Sequence, residues 1–260
     1  LADLAGIDFQ PKKPLDGISL KPLLTQENSE WKERLLFSHW GKRTSVRSQR
    51  FRLDDKGKLF DMENDPGQHE NVTEKFPEIS NRLLQAQKQW KNEVLSKLPE
   101  TDDRPFTIGH PDYPFTQIPA RDGIAHGNIL RSNRFPNDSF FTNWTSTSDS
   151  ITWKAEIIAG GNYEVEIYYT CSPEDVGSTI ALSFAEEILT GKITEPHNPP
   201  LKGMENDRVE RMESYVKDFK PMKMGRIYLK KGRGLLTLKA LEITGSQTMD
   251  FRLMMLKRIN

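Results

Sequence analysis

Three groups of side chains in this 260-residue chain could do chemistry. His39, Trp40 and Arg43 lie close together at the end of an apolar run. An aromatic face stacks on the apolar side of a sugar ring, and a guanidinium forks two hydrogen bonds to an oxyanion, so this trio suits the rim of a site for an anionic sugar. The second group is the glycine-punctuated stretch 119–144, which gathers Arg121, Asp122, His126, Asn128, Arg131, Arg134, Asn143 and Trp144. It reads equally as an anionic-glycan surface or as a loop whose polar residues satisfy backbone while Phe140, Phe141 and Trp144 fill a core. The third is Cys171, the sole cysteine, which excludes a disulfide framework and a thiolate metal cluster within the chain. Placed at the end of an apolar strand, it is expected to be a buried, inert thiol. The segment Asp61 to Gly67 spaces three oxygen-bearing side chains like a calcium loop. Val72 stands where the bidentate glutamate of such a loop belongs, so a structural turn is expected. The five histidines are scattered and suggest no serine–histidine–acid arrangement.

Composition narrows the classes. Lysine plus arginine equals aspartate plus glutamate at 37 each, so the net charge is zero, which argues against a nucleic-acid partner. No apolar run is long enough to cross a bilayer. The chain opens on an apolar, helix-like pattern without Met, and the expectation is a piece of a longer protein.

The elements that must position these residues follow from periodicity. Residues 1–6 pattern as helix end stopped by Gly6, Pro11 to Pro14 as a loop, and 19–24 as a short helical turn. Leu35 to Trp40 is an apolar strand. Between Arg43 and Thr73, Val46, Phe51 and Leu53 alternate with arginines, Leu59-Phe60 adds a further strand, and Asp54 to Gly57 and Asn64 to Gly67 are turns. Phe76, Ile79, Leu83, Ala86, Trp90 and Val94 recur at helical spacing after a Pro77-Glu78 start. Residues 99–117 are proline-rich and pattern as an extended linker. From 118 to 260 short alternating strands separated by glycine turns predict an antiparallel β-sandwich of jelly-roll type, with a hairpin through Gly160-Gly161. Residues 194–222 lack alternation and form a long loop suited to function or docking. The fold class is therefore α+β: a small antiparallel sheet with a long helix in 1–98, then a sandwich.

Several of these segments carry a resemblance. Val46-Arg47, Arg50-Phe51-Arg52-Leu53, Leu59-Phe60-Asp61-Met62 with Asp65-Pro66 and Asn71, and the opening Leu1 to Ile7 and Leu15 to Leu24, together resemble the C-terminal subdomain of the sulfatase family, in its arylsulfatase and N-acetylgalactosamine-6-sulfatase branch. The spacing of Trp153, Ala155, Ile157, Tyr163, Val165 and Ile167 is similar to galactose-binding-like carbohydrate-binding modules. The first resemblance implies a sulfuric ester hydrolase of sulfated glycans, periplasmic or secreted. Its calcium ion and its formylglycine, made from the cysteine or serine of C/S-x-P-x-R, would belong to an N-terminal catalytic half. Here Cys171-Ser172-Pro173-Glu174-Asp175 has aspartate where the arginine belongs, so no catalytic residue and no cofactor is expected in this chain. The implied partners are that catalytic half and a sulfated oligosaccharide, with His39, Trp40 and Arg43 lining the substrate rim. The alternatives are a stand-alone glycan-binding protein and a purely structural module.

Overall fold

The computed structural model describes residues 1–13, 15–25, 31–99 and 101–259, in two compact units, Leu1–Asp102 and Asp103–Asn260. Pro14, the last residue of the anticipated first loop, lies outside the described residues. No helix of the described residues is long and apolar enough to cross a membrane.

The first unit begins with turns rather than the expected helix end. Ala5 N donates to Leu1 O (2.9 Å), and Gly6 closes the turn at φ +69°. A single helical turn, α1 (Lys21–Leu24), follows. Four strands then form an antiparallel meander: β1 (Leu36–Trp40), β2 (Arg43–Arg47), β3 (Phe51–Leu53) and β4 (Leu59–Asp61), hydrogen-bonded in chain order. One face of this sheet buries Thr44, Val46, Phe51 and Leu53 against α2 (Pro77–Val94), whose Leu83 and Gln87 are buried in return. Pro77 presets the first helical φ, and Glu78 sits at the positive end of the helix dipole. Phe37 stacks on Trp90 (centroids 5.3 Å) and Phe51 tilts on Phe76 (5.0 Å).

Polar ties fix the rest of this unit. Buried Gln87 donates from Nε2 to Thr44 O in β2 (2.8 Å) and to Asp54 O in the turn after β3 (3.2 Å), tying the helix to both. Asp54 Oδ1 accepts from the backbone N–H groups of Lys56 and Lys58, both at 2.8 Å, and Gly57 takes φ +79°. Arg50 grips Asp61 with two nitrogens, the shortest contact being Nη2–Oδ2 at 2.7 Å. Asp61 also accepts from Asn64 Nδ2 (2.9 Å) and from the Glu63 backbone. The hydrogen bonds from Arg50, then Asn64, hold the Asp61 carboxyl well below its ordinary range. Of the oxygens that looked like a calcium loop, those of Asp61 are thus taken up by Arg50 and Asn64, and Asp65 Oδ2 accepts from the Glu70 backbone N–H (2.8 Å).

The second unit is a β-sandwich. Its strands are β5 (Phe106–Ile108), β6 (Phe115–Pro119), β7 (Ile124–His126), β8 (Leu130–Arg131), β9 (Phe141–Thr142), β10 (Ser150–Ile157), β11 (Gly161–Thr170), β12 (Thr179–Phe184), β13 (Glu187–Lys192), β14 (Lys220–Leu229), β15 (Gly232–Glu242) and β16 (Asp250–Ile259). One sheet runs β13-β12-β15-β10-β5 with β7 also on β10; the other runs β14-β11-β16-β9-β8 with β6 also on β16. Trp153, Tyr163, Tyr169 and Phe251 lie fully buried between them, Trp153 edge-on to Phe251 at 5.9 Å.

Two expectations need correction. The anticipated hairpin through Gly160-Gly161 does not exist, because β10 pairs β15 while β11 pairs β14 and β16. Alternation fixes which face is buried and is silent about the partner; the chain crosses between sheets here, Gly161 at φ +152°. The proline-rich 99–117 stretch is not a plain linker either. It contains β5, parallel to β10, and most of β6, and both strands lie at sheet ends where proline is tolerated. Within 194–222, the chain makes isolated bridges, Cys171 with His197 and Lys202 with Val216, and then enters β14 at Lys220.

Candidate functional site

Strand parity sorts the residues of the first unit. Because Thr44 and Val46 face α2, their neighbours Arg43, Ser45 and Arg47 face the opposite way. Phe37 stacks on the helix, so Leu36, Ser38 and Trp40 join them on the open face. Register then builds rows: Trp40 opposite Arg43, Ser38 opposite Ser45, and Leu36 opposite Arg47, itself opposite Arg52. The indole of Trp40 is 83% exposed. Among the described residues Arg43 and Arg47 have no acidic partner, whereas Arg52 donates to Gln68 Oε1. His39 belongs to the other side of the sheet, with Nδ1 bonded to Thr44 Oγ1 (2.8 Å) and its ring tilted on Trp90 at 6.2 Å.

A hollow of about 300 Å³ at this corner is nevertheless shared by His39, Trp40, Arg43, Ser45, Arg52 and Asp55. The trio named from sequence therefore converges on one place, although from two faces of the sheet. Arg52 and Asp55 are added by the structure. The signal for Arg52 was its alternation with Phe51 and Leu53, which sends it to the outward face. The hollow offers guanidinium donors, an exposed aromatic plane and one carboxylate.

The stretch 119–144 does not assemble into one site. Trp144 is 1% exposed and belongs to the core of the sandwich, so it has no ring face to offer a sugar, which corrects that assignment. Asn143 adopts φ +57° and donates from Nδ2 to Asn128 O (2.7 Å), a loop-fastening role. Arg131 lies over the Phe141 ring (4.8 Å) and donates to the carbonyls of Ala120 and Gly123. Arg121 and Asp122 pair with each other at 3.7 Å on the exposed turn after β6, and His126 on β7 bonds through Nε2 to Thr152 Oγ1 (2.8 Å).

Cys171 is buried and exchanges two backbone hydrogen bonds with His197, both at 2.8 Å. Burial, reinforced by the charges of Asp175 and Asp250, pushes its thiol up to about 11, so almost no thiolate forms near neutrality. Among the described residues no three acidic, histidine or cysteine side chains group as metal ligands.

No family model and no curated protein matches the chain. Among solved structures it is similar to a GH26-CBM35 β-(1,4)-mannanase from Podospora anserina (12% identity, TM-score 0.39), where the match covers 56% of this chain and 28% of that one. It is also similar to a family 35 carbohydrate-binding module from Clostridium thermocellum (10% identity, TM-score 0.40), covering 56% of this chain and 98% of the module. A C-terminal CBM6 from a marine laminarinase of Zobellia galactanivorans matches at 8% identity and TM-score 0.41, covering 55% of this chain and 99% of that one.

Proposed function

We propose that this chain is a non-catalytic C-terminal region of a secreted or periplasmic sulfatase acting on sulfated glycans, with the four-stranded unit contributing to the substrate rim. The observation that carries this reading is the open sheet face, where Trp40, Arg43 and Arg47 stand exposed beside the hollow shared with His39 and Arg52. The residues that resemble the sulfatase subdomain are also the ones that build this face: Arg50 and Asp61 clamp its far strands, and Leu53 and Leu59 anchor them on α2. Before β1, Leu4, Ile7, Phe9, Leu15, Ile18 and Leu23 are exposed. An apolar surface of that kind suits packing on a catalytic domain, which would bring the formylglycine and calcium.

In an enzyme carrying this region together with its catalytic domain, W40A and R43A should raise KM for a sulfated oligosaccharide about tenfold while leaving a small aryl sulfate unaffected. Unchanged constants for both substrates would overturn the rim assignment. The present chain alone should not hydrolyse an aryl sulfate, and turnover that survives C171A would overturn the non-catalytic reading. The second reading is a glycan-binding module in the sandwich, favoured by a separate hollow of about 300 Å³ bordered by exposed Phe115.

A further inference from the structure

We propose that the outer face of the β14–β11–β16–β6 layer binds an acidic oligosaccharide, one bearing sulfate esters or uronate carboxylates. This rests on the second reading above and assigns it a place and a ligand class.

Parity defines the face. Tyr163, Val165 and Ile167 point into the core, so Glu164 and Glu166 point out; Met254 and Leu256 point in, so Met255 and Lys257 point out; Ile118 points in, so Phe115 and Gln117 point out. On β14, Lys223 and Arg226 are three residues apart, a spacing that puts them on opposite faces of a regular strand. The register shifts there: Val165 faces Gly225 while Glu166 faces Lys223, which leaves Met224 as the extra residue of a bulge. Met224 turns into the core at 7% exposure, and both cations are kept on the outer face. The bulge therefore assembles a pair of positive groups that the plain strand would separate.

Register then lays out two rows. Arg226, Glu164, Lys257 and Phe115 face one another in turn across four strands, and Lys223, Glu166, Met255 and Gln117 form the row beside them. Three strand spacings make the row about 14 Å long, enough for more than one sugar ring. Arg226 Nη2 lies 3.0 Å from Glu164 Oε1, and Lys257 Nζ lies 5.5 Å from the Phe115 ring centre. Phe115 is 56% exposed and Met255 adds apolar floor, a seat for the C–H face of a pyranose. Glu164 and Glu166 accept from sugar hydroxyls. The Arg226 fork has five N–H donors, so one bond to Glu164 leaves others for a ligand. Three cations against two carboxylates leave an excess positive charge, which selects a glycan carrying negative groups.

The test is calorimetric titration of this chain with a sulfated oligosaccharide, its desulfated counterpart and a uronate oligosaccharide. Binding of the sulfated or the uronate chain, with the neutral one at least about tenfold weaker, is expected, and whichever acidic chain binds names the group recognised. F115A should weaken that binding about tenfold, and R226Q with K257Q should erase the preference for acidic over neutral chains. All three residues are exposed, and unchanged melting of the variants keeps the comparison clean. Equal affinity for neutral chains, or binding by none of the three, overturns the proposal. So does binding that F115A leaves intact and R43A removes; that result would leave the sulfatase-region reading standing.

Discussion

In the four-stranded unit the buried apolar cluster is Val46, Phe51, Leu53, Leu59, Val72 and Leu83, whereas the sandwich encloses Trp144, Trp153, Tyr163, Tyr169 and Phe251 among many aliphatics. The small core cannot specify its unit by burial alone. Gln87, Asp54 and the Arg50–Asp61 clamp complete it, each requiring one particular side chain at one place. The sandwich asks mainly for apolar residues at alternate positions, which many sequences supply. A fold fastened by particular polar residues leaves a motif in its sequence; a fold fastened by area leaves only a rhythm.

That contrast can be broken by experiment. W153A removes a fully buried indole from the sandwich and should cost about 3–5 kcal/mol in urea denaturation followed by sandwich-specific amide exchange. A loss below about 1 kcal/mol would show that area is not what holds this unit. Q87A removes the side-chain donor to the Thr44 and Asp54 carbonyls and should cost about 1–3 kcal/mol, read from exchange in β2 and α2. Were Q87A as silent as a surface change, the polar fastening of the first unit would be dispensable. The gentlest probe is acid. The folded carboxyl of Asp61 lies below its unfolded value of about 3.9, so its stabilisation is complete above that pH and is lost as pH falls further. D61N should flatten this dependence in the first unit, as measured by melting between about pH 5 and pH 2; an identical acid slope in wild type and D61N would remove the clamp from the account.

The same contrast explains what could be read in advance. The helix from Pro77 to Val94 showed in the spacing of Ile79, Leu83, Ala86 and Trp90, and the turn at Asp54–Lys58 in its aspartates and glycine. Cys171 was legible as inert because an apolar strand end predicts burial. The partners of β10 and β11 were not legible, since inward alternation is satisfied by any opposing sheet. Trp144 was open between surface and core, because an aromatic among polar, glycine-rich neighbours reads the same in either place; the structure puts it in the core. His39, Trp40 and Arg43 were grouped from their spacing, and the turn at Gly41 (φ +59°) between the two strands keeps them at one hollow; that Arg52 and Asp55 join them there was not legible.

The pairing of β6 with β16 has a consequence for synthesis. Phe115 to Pro119 are made well before their partner strand, the ten-residue Asp250–Ile259. Both flanks of that strand, β11 on one side and β6 with β9 on the other, wait for it. The sandwich therefore cannot seal until residues 250–259 have been made, and until then it presents unpaired strand edges. The four-stranded unit is made of near neighbours in the chain and can close long before. A nascent chain stalled before residue 250 would thus carry one finished unit and one that chaperones must shield.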